Sequence, residues 1–479
     1  MSMVQSEHKS ILSPETPVHM VGICGAGMSG LAIVMAGMGY RVSGCDLRPG
    51  EVGDKLRGLD ISVAEGHDPS HLSGAGLVVA SAAVPRSDPE LEAARSRGMT
   101  ILSRAEMLGR LMAGRFGVAV SGTHGKTTTT SMIAVVLRAA GLDPTILIGG
   151  DLDLLGGNAR LGKGDLFVTE ACEAYDSFLE LRPRLAVITN IEHDHHDWYP
   201  TMEDVLRSFR RFLSQIEEGG CAIICADCPN ARGIIPDISA RVVTYGLSED
   251  AEIRAVDVDE SSPDPSFRVE YLGRDLGRFE LRVPGAHNIR NALAAIAVAC
   301  EFEVEPVIMK AAFAGFRGAG RRFDVLGTAR GITVVDDYAH HPTEVSATLQ
   351  AARAWKRRLV AVFQPHLFSR TQALAADFAE SLRAADEVVL TEIYPAREKP
   401  MPGVSAKMIA DMINSADPGK ARFVSEKDRL ADDMLPRLKS GDLVVFMGAG
   451  DIRESAEELA SRLSGGRSTQ YARSLKFGK

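Results

Sequence analysis

Apolar residues in this chain fall into short blocks. Runs rich in Val, Ile and Leu occupy positions 18–21, 77–80, 118–121, 165–169, 185–190, 221–225, 333–336, 359–363, 387–390 and 443–446. Each is too short for a buried helix and fits a strand covered on both faces. The segments between them carry apolar residues at helical spacing or are Ala-rich, most plainly at 292–299. Strands and helices in alternation predict parallel sheets flanked by helices, an α/β fold. Residues 247–283 break the rhythm, with short strands interrupted by Ser-Ser-Pro-Asp-Pro.

Length turns this pattern into several domains. At 479 residues, about two to four domains are expected, and breaks near Gly114 and Gly320 predict divisions at 1–113, 114–320 and 321–479. The apolar and charged fractions, 45% and 24%, are those of an ordinary globular protein. A net charge of −9 gives no support for binding a nucleic-acid backbone. No apolar run nears the roughly 20 residues that cross a bilayer, so no integral membrane segment is expected. Seven scattered cysteines, and an opening without a basic-then-apolar signal, predict a reducing, cytoplasmic location. Cys221 and Cys225 read as strand residues in a core, not as metal ligands.

The unusual residues gather where strands end. After the first strand come Gly25, Ala26, Gly27, Met28, Ser29 and Gly30, a Gly-x-Gly-x-x-Gly turn into a helix of small residues, with Asp46 closing the next strand. That is the Rossmann-like fingerprint; any nucleotide diphosphate, with or without nicotinamide, can rest on such a helix end. Ser81 ends another strand, where a ligand would be met. A second loop, Gly122, Thr123, His124, Gly125, Lys126, Thr127 and Thr128, joins the strand at 118–121 to a helix. Its glycines admit phosphate to the backbone, Lys126 reaches the terminal phosphates, and the Thr127 hydroxyl suits Mg2+. It is a shortened cradle, since Val120 stands where the usual motif has its first glycine. Glu170 and Glu173 follow the strand at 165–169, and Glu192, His193, Asp194, His195, His196 and Asp197 follow the one at 185–190. In a parallel sheet these strand ends converge with Lys126, and carboxylates there suit a hard cation.

Further along, His287 and Asn291 share a helical face, open to a base or ribose as much as to capping. Arg321 and Arg322 form a pair whose planar forks suit phosphate. In the last third, strand ends carry Asp337, Tyr338, His340 and His341, then His366 and Arg370, then Tyr394 and Arg397, then Gly448 to Ile452. A second ligand-binding rim is expected there.

Taken together, Gly122-Thr-His-Gly-Lys-Thr127, the Asn190-Ile-Glu-His-Asp-His195 run, Gly285-Ala-His-Asn-x-x-Asn291 and Gly320-Arg-Arg-Phe323 resemble the Mur ligase family over nearly the whole chain. The resemblance implies three domains: a Rossmann-like N-terminal domain for a UDP-sugar, a central P-loop ATPase-type domain, and a C-terminal Rossmann-like domain for the amino acid. It implies ATP-driven amide formation with Mg2+. Asp337-Tyr-Ala-His-His-Pro342, Gln364-Pro-His366 with Ser369-Arg-Thr371, and Gly448-Ala-Gly-Asp-Ile452 look like the branch that joins L-alanine to UDP-N-acetylmuramate. A branch that attaches a preformed tripeptide is the nearest alternative, and an NAD-dependent oxidoreductase a more distant one.

By the same resemblance, Mg2+ ligands map to Thr127, Glu170 and His195. ATP contacts map to residues 122–128, His287, Asn291, Arg322 and Asp337. The UDP-sugar maps to Gly25–Ser29, Asp46, Ser81, His195 and Arg370. Lys126, Arg322, His340, His341, His366 and Arg370 would serve the reaction, and a monomer or weak homodimer is expected. Position 210, where several relatives carry a carbamylated lysine, is Arg here, so no carbamate site is expected.

Overall fold

The computed structural model describes residues 13–152, 155–195, 198–396 and 398–465; His196, Asp197 and Arg397 lie outside them. The chain is a three-domain α/β protein with one sheet in each domain. The first sheet contains β1 (Val18–Val21), β2 (Val42–Asp46), β3 (Ser62–Glu65), β4 (Leu77–Ala80) and β5 (Thr100–Ser103), in the order β3-β2-β1-β4-β5. Every neighbouring pair is parallel. As the central strand, β1 is buried at all its positions, His19 included, as expected of a strand covered on both faces. The chain reverses its direction of winding between β1 and β4, so the loops after these strands, carrying Gly22–Gly27 and Ser81, flank one crevice.

The second sheet is larger. Its strands are β6 (Phe116–Ser121), β7 (Thr145–Leu152), β8 (Gly157–Arg160), β9 (Leu166–Glu170), β10 (Leu185–Ile188), β11 (Cys221–Cys225), β12 (Arg241–Gly246), β13 (Ile253–Asp259), β14 (Ser266–Tyr271) and β15 (Arg274–Glu280). They follow the order β15-β14-β13-β12-β11-β10-β6-β9-β7-β8. β6 lies between β9 and β10 and is parallel to both, with Val120 opposite Glu170 and Ser121 opposite Ile188. Three strands therefore end level with one another, and their loops share one edge. Cys221 and Cys225 are buried in β11.

The β7–β8 pair is antiparallel, an element the apolar pattern did not disclose. The helix Ala26–Gly37 lies against it. A Cβ on Gly30 would stand 3.2 Å from the Ala159 methyl, one on Gly37 3.1 Å from Leu161, and Asn158 donates to the Ala26 carbonyl at 2.6 Å. The small residues of that helix thus permit close approach to β8.

The third sheet holds β16 (Asp324–Ala329), β17 (Ile332–Asp337), β18 (Leu359–Phe363), β19 (Glu387–Thr391), β20 (Ala421–Val424) and β21 (Leu443–Met447), in the order β16-β17-β21-β18-β19-β20. All pairs are parallel except β16–β17, a hairpin whose turn places Arg330 and Gly331 at positive φ. Separate cores cover its two faces, one with Val335, Phe363 and Leu390, the other with Val334, Val362 and Val444. The chain divides into two compact units: one of residues up to 256 with 268–278 and 290–313, the other of 257–267, 279–289 and the chain from 314 onward. Among the described residues, no helix is long and apolar enough to cross a membrane.

Candidate active site

The loop between β6 and the helix Lys126–Ala139 is clamped from the strand end beside it. Thr123 donates its backbone N–H to the Asn190 carbonyl at 3.0 Å, and His124 donates its own to Asn190 Oδ1 at 2.8 Å. Thr189 Oγ1 and Asn190 Nδ2 both donate to the His124 carbonyl, at 2.6 and 3.0 Å. The His124 imidazole meets Glu192 Oε2 at 3.2 Å. Thr123 and His124 are thereby committed to holding the loop in shape. The first-turn N–H groups of the helix have no intrahelical acceptor, so this end presents donors to an anion.

Gly125 caps that helix with φ +82°, a left-handed conformation. A Cβ there would lie 2.7 Å from Asn291 Oδ1, which accepts the Thr129 hydroxyl at 3.1 Å. Asn291 therefore braces the loop from behind. Lys126 Nζ donates to the Thr123 carbonyl at 3.1 Å and to both Glu173 oxygens, at 3.1 and 2.9 Å. Burial disfavours its charge, but Glu173, Cys172 and Glu170 more than offset this, so the ammonium pKa lies above its ordinary value. His195 Nε2 is 3.7 Å from Glu173 Oε1, with His195 itself at positive φ. Glu170 Oε1 accepts the Gly149 N–H at 2.5 Å. Lys126, Glu173 and His195 are thus brought together, and the level ends of β6 and β9 put Thr127 and Glu170 on the same edge. Glu173, secondary in the sequence reading, is the hub of this cluster; its signal was an acid three residues beyond the end of β9.

The glycine turn after β1 is supported from below. Asp46 Oδ2 accepts the Cys24 N–H at 3.1 Å, and Gly22, at φ +76°, leaves room for Ser81, whose Cβ would lie 3.0 Å from a Cβ on the glycine. Met28 and Ser29 are buried, and their N–H groups donate to the Gly25 carbonyl. Ser29 Oγ donates to the Ala26 carbonyl. Those side chains face the interior, leaving Gly25, Ala26 and Gly27 at the exposed turn. Sequence reasoning passed over Arg104, whose guanidinium lies 3.2–3.3 Å from where a Gly27 Cβ would be.

The second unit carries its own cluster at the strand ends of β17 and β18. The rings of Tyr338 and His340 meet edge to face at 5.3 Å, those of His340 and His366 at 5.8 Å, and His366 stacks on Tyr394 at 5.8 Å. Arg321 and Arg322 both lie over the Tyr338 ring, at 5.0 and 5.1 Å. Burial holds the His340 imidazole below its usual pKa; Arg370 and Arg322 act in the same direction and Glu344 opposes them. Arg370 and His341 are nearly buried, and His341 caps the helix Pro342–Arg353. Asp337 is held in place, accepting the N–H groups of Phe323 and Ala339 at 2.7 and 2.8 Å and the Thr348 hydroxyl at 3.2 Å. His287 folds back over Gly285, its ring 2.8 Å from where a Cβ would be. Arg321, overshadowed by Arg322 in the sequence reading, reaches the carbonyls of Gly448 and Gly450 at 2.9 and 3.2 Å and so orders that loop.

Family models match in three consecutive stretches: the Mur ligase family, catalytic domain at residues 17–116, the Mur ligase middle domain at 120–299, and the Mur ligase, glutamate ligase domain at 321–450. This chain belongs to the Mur ligase family. A UDP-N-acetylmuramate–L-alanine ligase of Geotalea daltonii is 45% identical over 93% of this chain and 98% of its own length. Among solved structures, a UDP-N-acetylmuramate-alanine ligase from Thermotoga maritima aligns with a TM-score of 0.81 at 30% identity, covering 95% of this chain and all of that one. A murein peptide ligase from Psychrobacter arcticus aligns at 0.70 and 27% identity, over 94% and 99% of the two chains. Like other members, this Mur ligase is an ATP-dependent enzyme. Arg210 pairs with Glu203 and Asp237 at 2.8 Å each.

Proposed function

We propose that this enzyme joins L-alanine to the lactyl carboxylate of UDP-N-acetylmuramate in peptidoglycan precursor synthesis. The observation that carries the reading is the Lys126–Glu173–His195 cluster at the end of a phosphate loop, in a chain whose relatives at about 45% identity bear the name of that activity. The carboxylate oxygen attacks the γ-phosphorus of ATP, the bond to the β-phosphate oxygen breaks, and ADP leaves. The alanine nitrogen then attacks the acyl carbon, inorganic phosphate departs and the amine proton is lost to solvent. Bringing one anion onto another needs fixed positive charge, which Lys126 supplies. A phosphate entering the loop competes with Glu173 for that ammonium.

Thr127, Glu170, Glu173 and His195 form an oxygen-rich set at one sheet edge that fits Mg2+, and the ion when bound neutralises phosphate charge. The turn at Gly25–Gly27, with Asp46 and Ser81 behind it, receives the UDP-sugar diphosphate. The ring cluster of Tyr338, His340 and His366 with Arg370 receives the amino acid. Domain boundaries at 113 and 320 and a cytoplasmic location belong to the same reading. The test is phosphate release from ATP with UDP-N-acetylmuramate and either L-alanine or the tripeptide L-alanyl-γ-D-glutamyl-meso-diaminopimelate. Release with alanine alone is expected; release only with the tripeptide assigns the chain to the peptide-attaching branch, which the Psychrobacter likeness keeps in view.

A further inference from the structure

The N-terminal domain contains a second set of reactive side chains, inside the sheet beneath the glycine turn; Cys45 precedes Asp46 and its carbonyl accepts the Gly22 N–H at 2.9 Å, while none of the three side chains has been given a role above. His19 on β1, Cys45 on β2 and Glu90 at the start of the helix Pro89–Ser96 are at most 2% exposed, and their donor atoms all lie within 4.8 Å of one another. Glu90 Oε2 is the common point, 3.2 Å from His19 Nε2 and 3.0 Å from Cys45 Sγ. With metal–ligand bonds of about 2.0–2.3 Å, the edges of a tetrahedral zinc site measure roughly 3.3 Å between N and O and roughly 3.5 Å between S and O. The Nε2–Oε2 and Sγ–Oε2 pairs already stand within about half an ångström of those edges, and Nε2 and Sγ lie within 4.8 Å of each other.

The groups behind them are arranged as metal sites require. His19 Nδ1 meets Ser43 Oγ at 3.0 Å; when that nitrogen donates to the hydroxyl, Nε2 keeps its lone pair. The other carboxylate oxygen, Oε1, accepts the Asp68 N–H at 2.8 Å and faces His71 Nδ1 at 2.6 Å, which fixes the carboxylate plane and leaves Oε2 to the cluster. His71 is partly exposed and gives the site an approach from solvent.

We propose that His19, Cys45 and Glu90 bind a thiophilic divalent cation of the zinc class, clasping β1, β2 and the helix Pro89–Ser96 together. Binding replaces the Cys45 S–H bond by an S–metal bond and releases that proton to solvent. Thiolate, carboxylate and dication sum to zero charge, which suits a site closed from water.

The experiment uses the full chain, reduced, stripped with chelator and held in saturating Mg2+, titrated with Cd2+ or Co2+. One equivalent should raise a sulfur-to-metal charge-transfer absorption that is lost in Cys45→Ser and kept in Cys225→Ser. Ser43→Ala should keep the band while weakening affinity about 10-fold, the usual effect of losing a partner behind a ligand. Zn2+ should raise the melting temperature of the parent and not of Cys45→Ser. Absence of the band at several equivalents, or a band of full amplitude in Cys45→Ser, overturns the proposal.

Discussion

Gly125→Ala probes the phosphate loop at its most constrained point. The residue sits at φ +82°, where an L side chain costs about 1 kcal/mol or slightly more. The added methyl would also lie 2.7 Å from Asn291 Oδ1 and must push that amide away, breaking its bond to the Thr129 hydroxyl, a further loss of about 1 kcal/mol. The reduced freedom of the unfolded chain returns about 0.5 kcal/mol, leaving a net destabilisation of about 1.5–2 kcal/mol in denaturant unfolding. Asn291→Ala alone should cost about 1–2 kcal/mol, because it strands the fully buried Thr129 hydroxyl. The double variant decides the matter. With the amide gone, the methyl meets no obstacle and only the backbone share remains, so the double loss should fall short of the sum by about 1 kcal/mol. Additivity within about 0.3 kcal/mol would refute the close approach of loop and amide.

Three other expectations follow from the same geometry. Lys126→Ala should lower ATP-dependent phosphate release about 100- to 1,000-fold, the scale of losing one charge-stabilising donor, while calorimetry still detects UDP-N-acetylmuramate binding; loss of both would contradict separate sites. Burial pushes the Asp337 carboxyl up to about 6, against the pull of Arg322 and two backbone N–H groups. Its unfolded value is about 3.9, so the folded chain holds the extra proton and stability falls as pH rises from about 4 to about 6, then levels. Between pH 5 and 7 the fall should be about 1 kcal/mol by denaturant unfolding, and a pH profile unchanged in Asp337→Asn would tell against it. Arg321→Lys cannot reproduce the fork that joins Asp336 to the Gly448 and Gly450 carbonyls, so it should destabilise the chain by about 1–2 kcal/mol; a melting temperature equal to the parent's would show the fork to be idle.

Much of this was legible from sequence for a physical reason. Strands buried on both faces must be apolar throughout, so β6, β9, β10, β18 and β21 announced themselves, and polar residues at their ends had no packing excuse. Residues with no such contrast stayed hidden. β8 is a short Gly-Asn-Ala-Arg strand whose partner is chosen by tertiary contact with the helix Ala26–Gly37. Glu173 and Arg321 were visible as charges, but which of two neighbouring charges bonds inward depends on backbone turns at positive φ, at Tyr175 and Asp176 after the first and at Arg321 itself. Asp337 was visible as an acid at a strand end, but its hydrogen bonds from Phe323, Ala339 and Thr348 involve partners that residue types and spacing do not reveal.

The helix Ala26–Gly37 has one end at the N-terminal glycine turn and one flank against β8 of the neighbouring sheet. Close-packed surfaces of this kind yield little to compression. The helix thus ties the glycine turn to β8, the outer strand of the sheet that also contains β6, the strand leading to Lys126. The glycines that let the helix approach thereby set how rigidly the N-terminal turn is fastened to the outer edge of the second sheet.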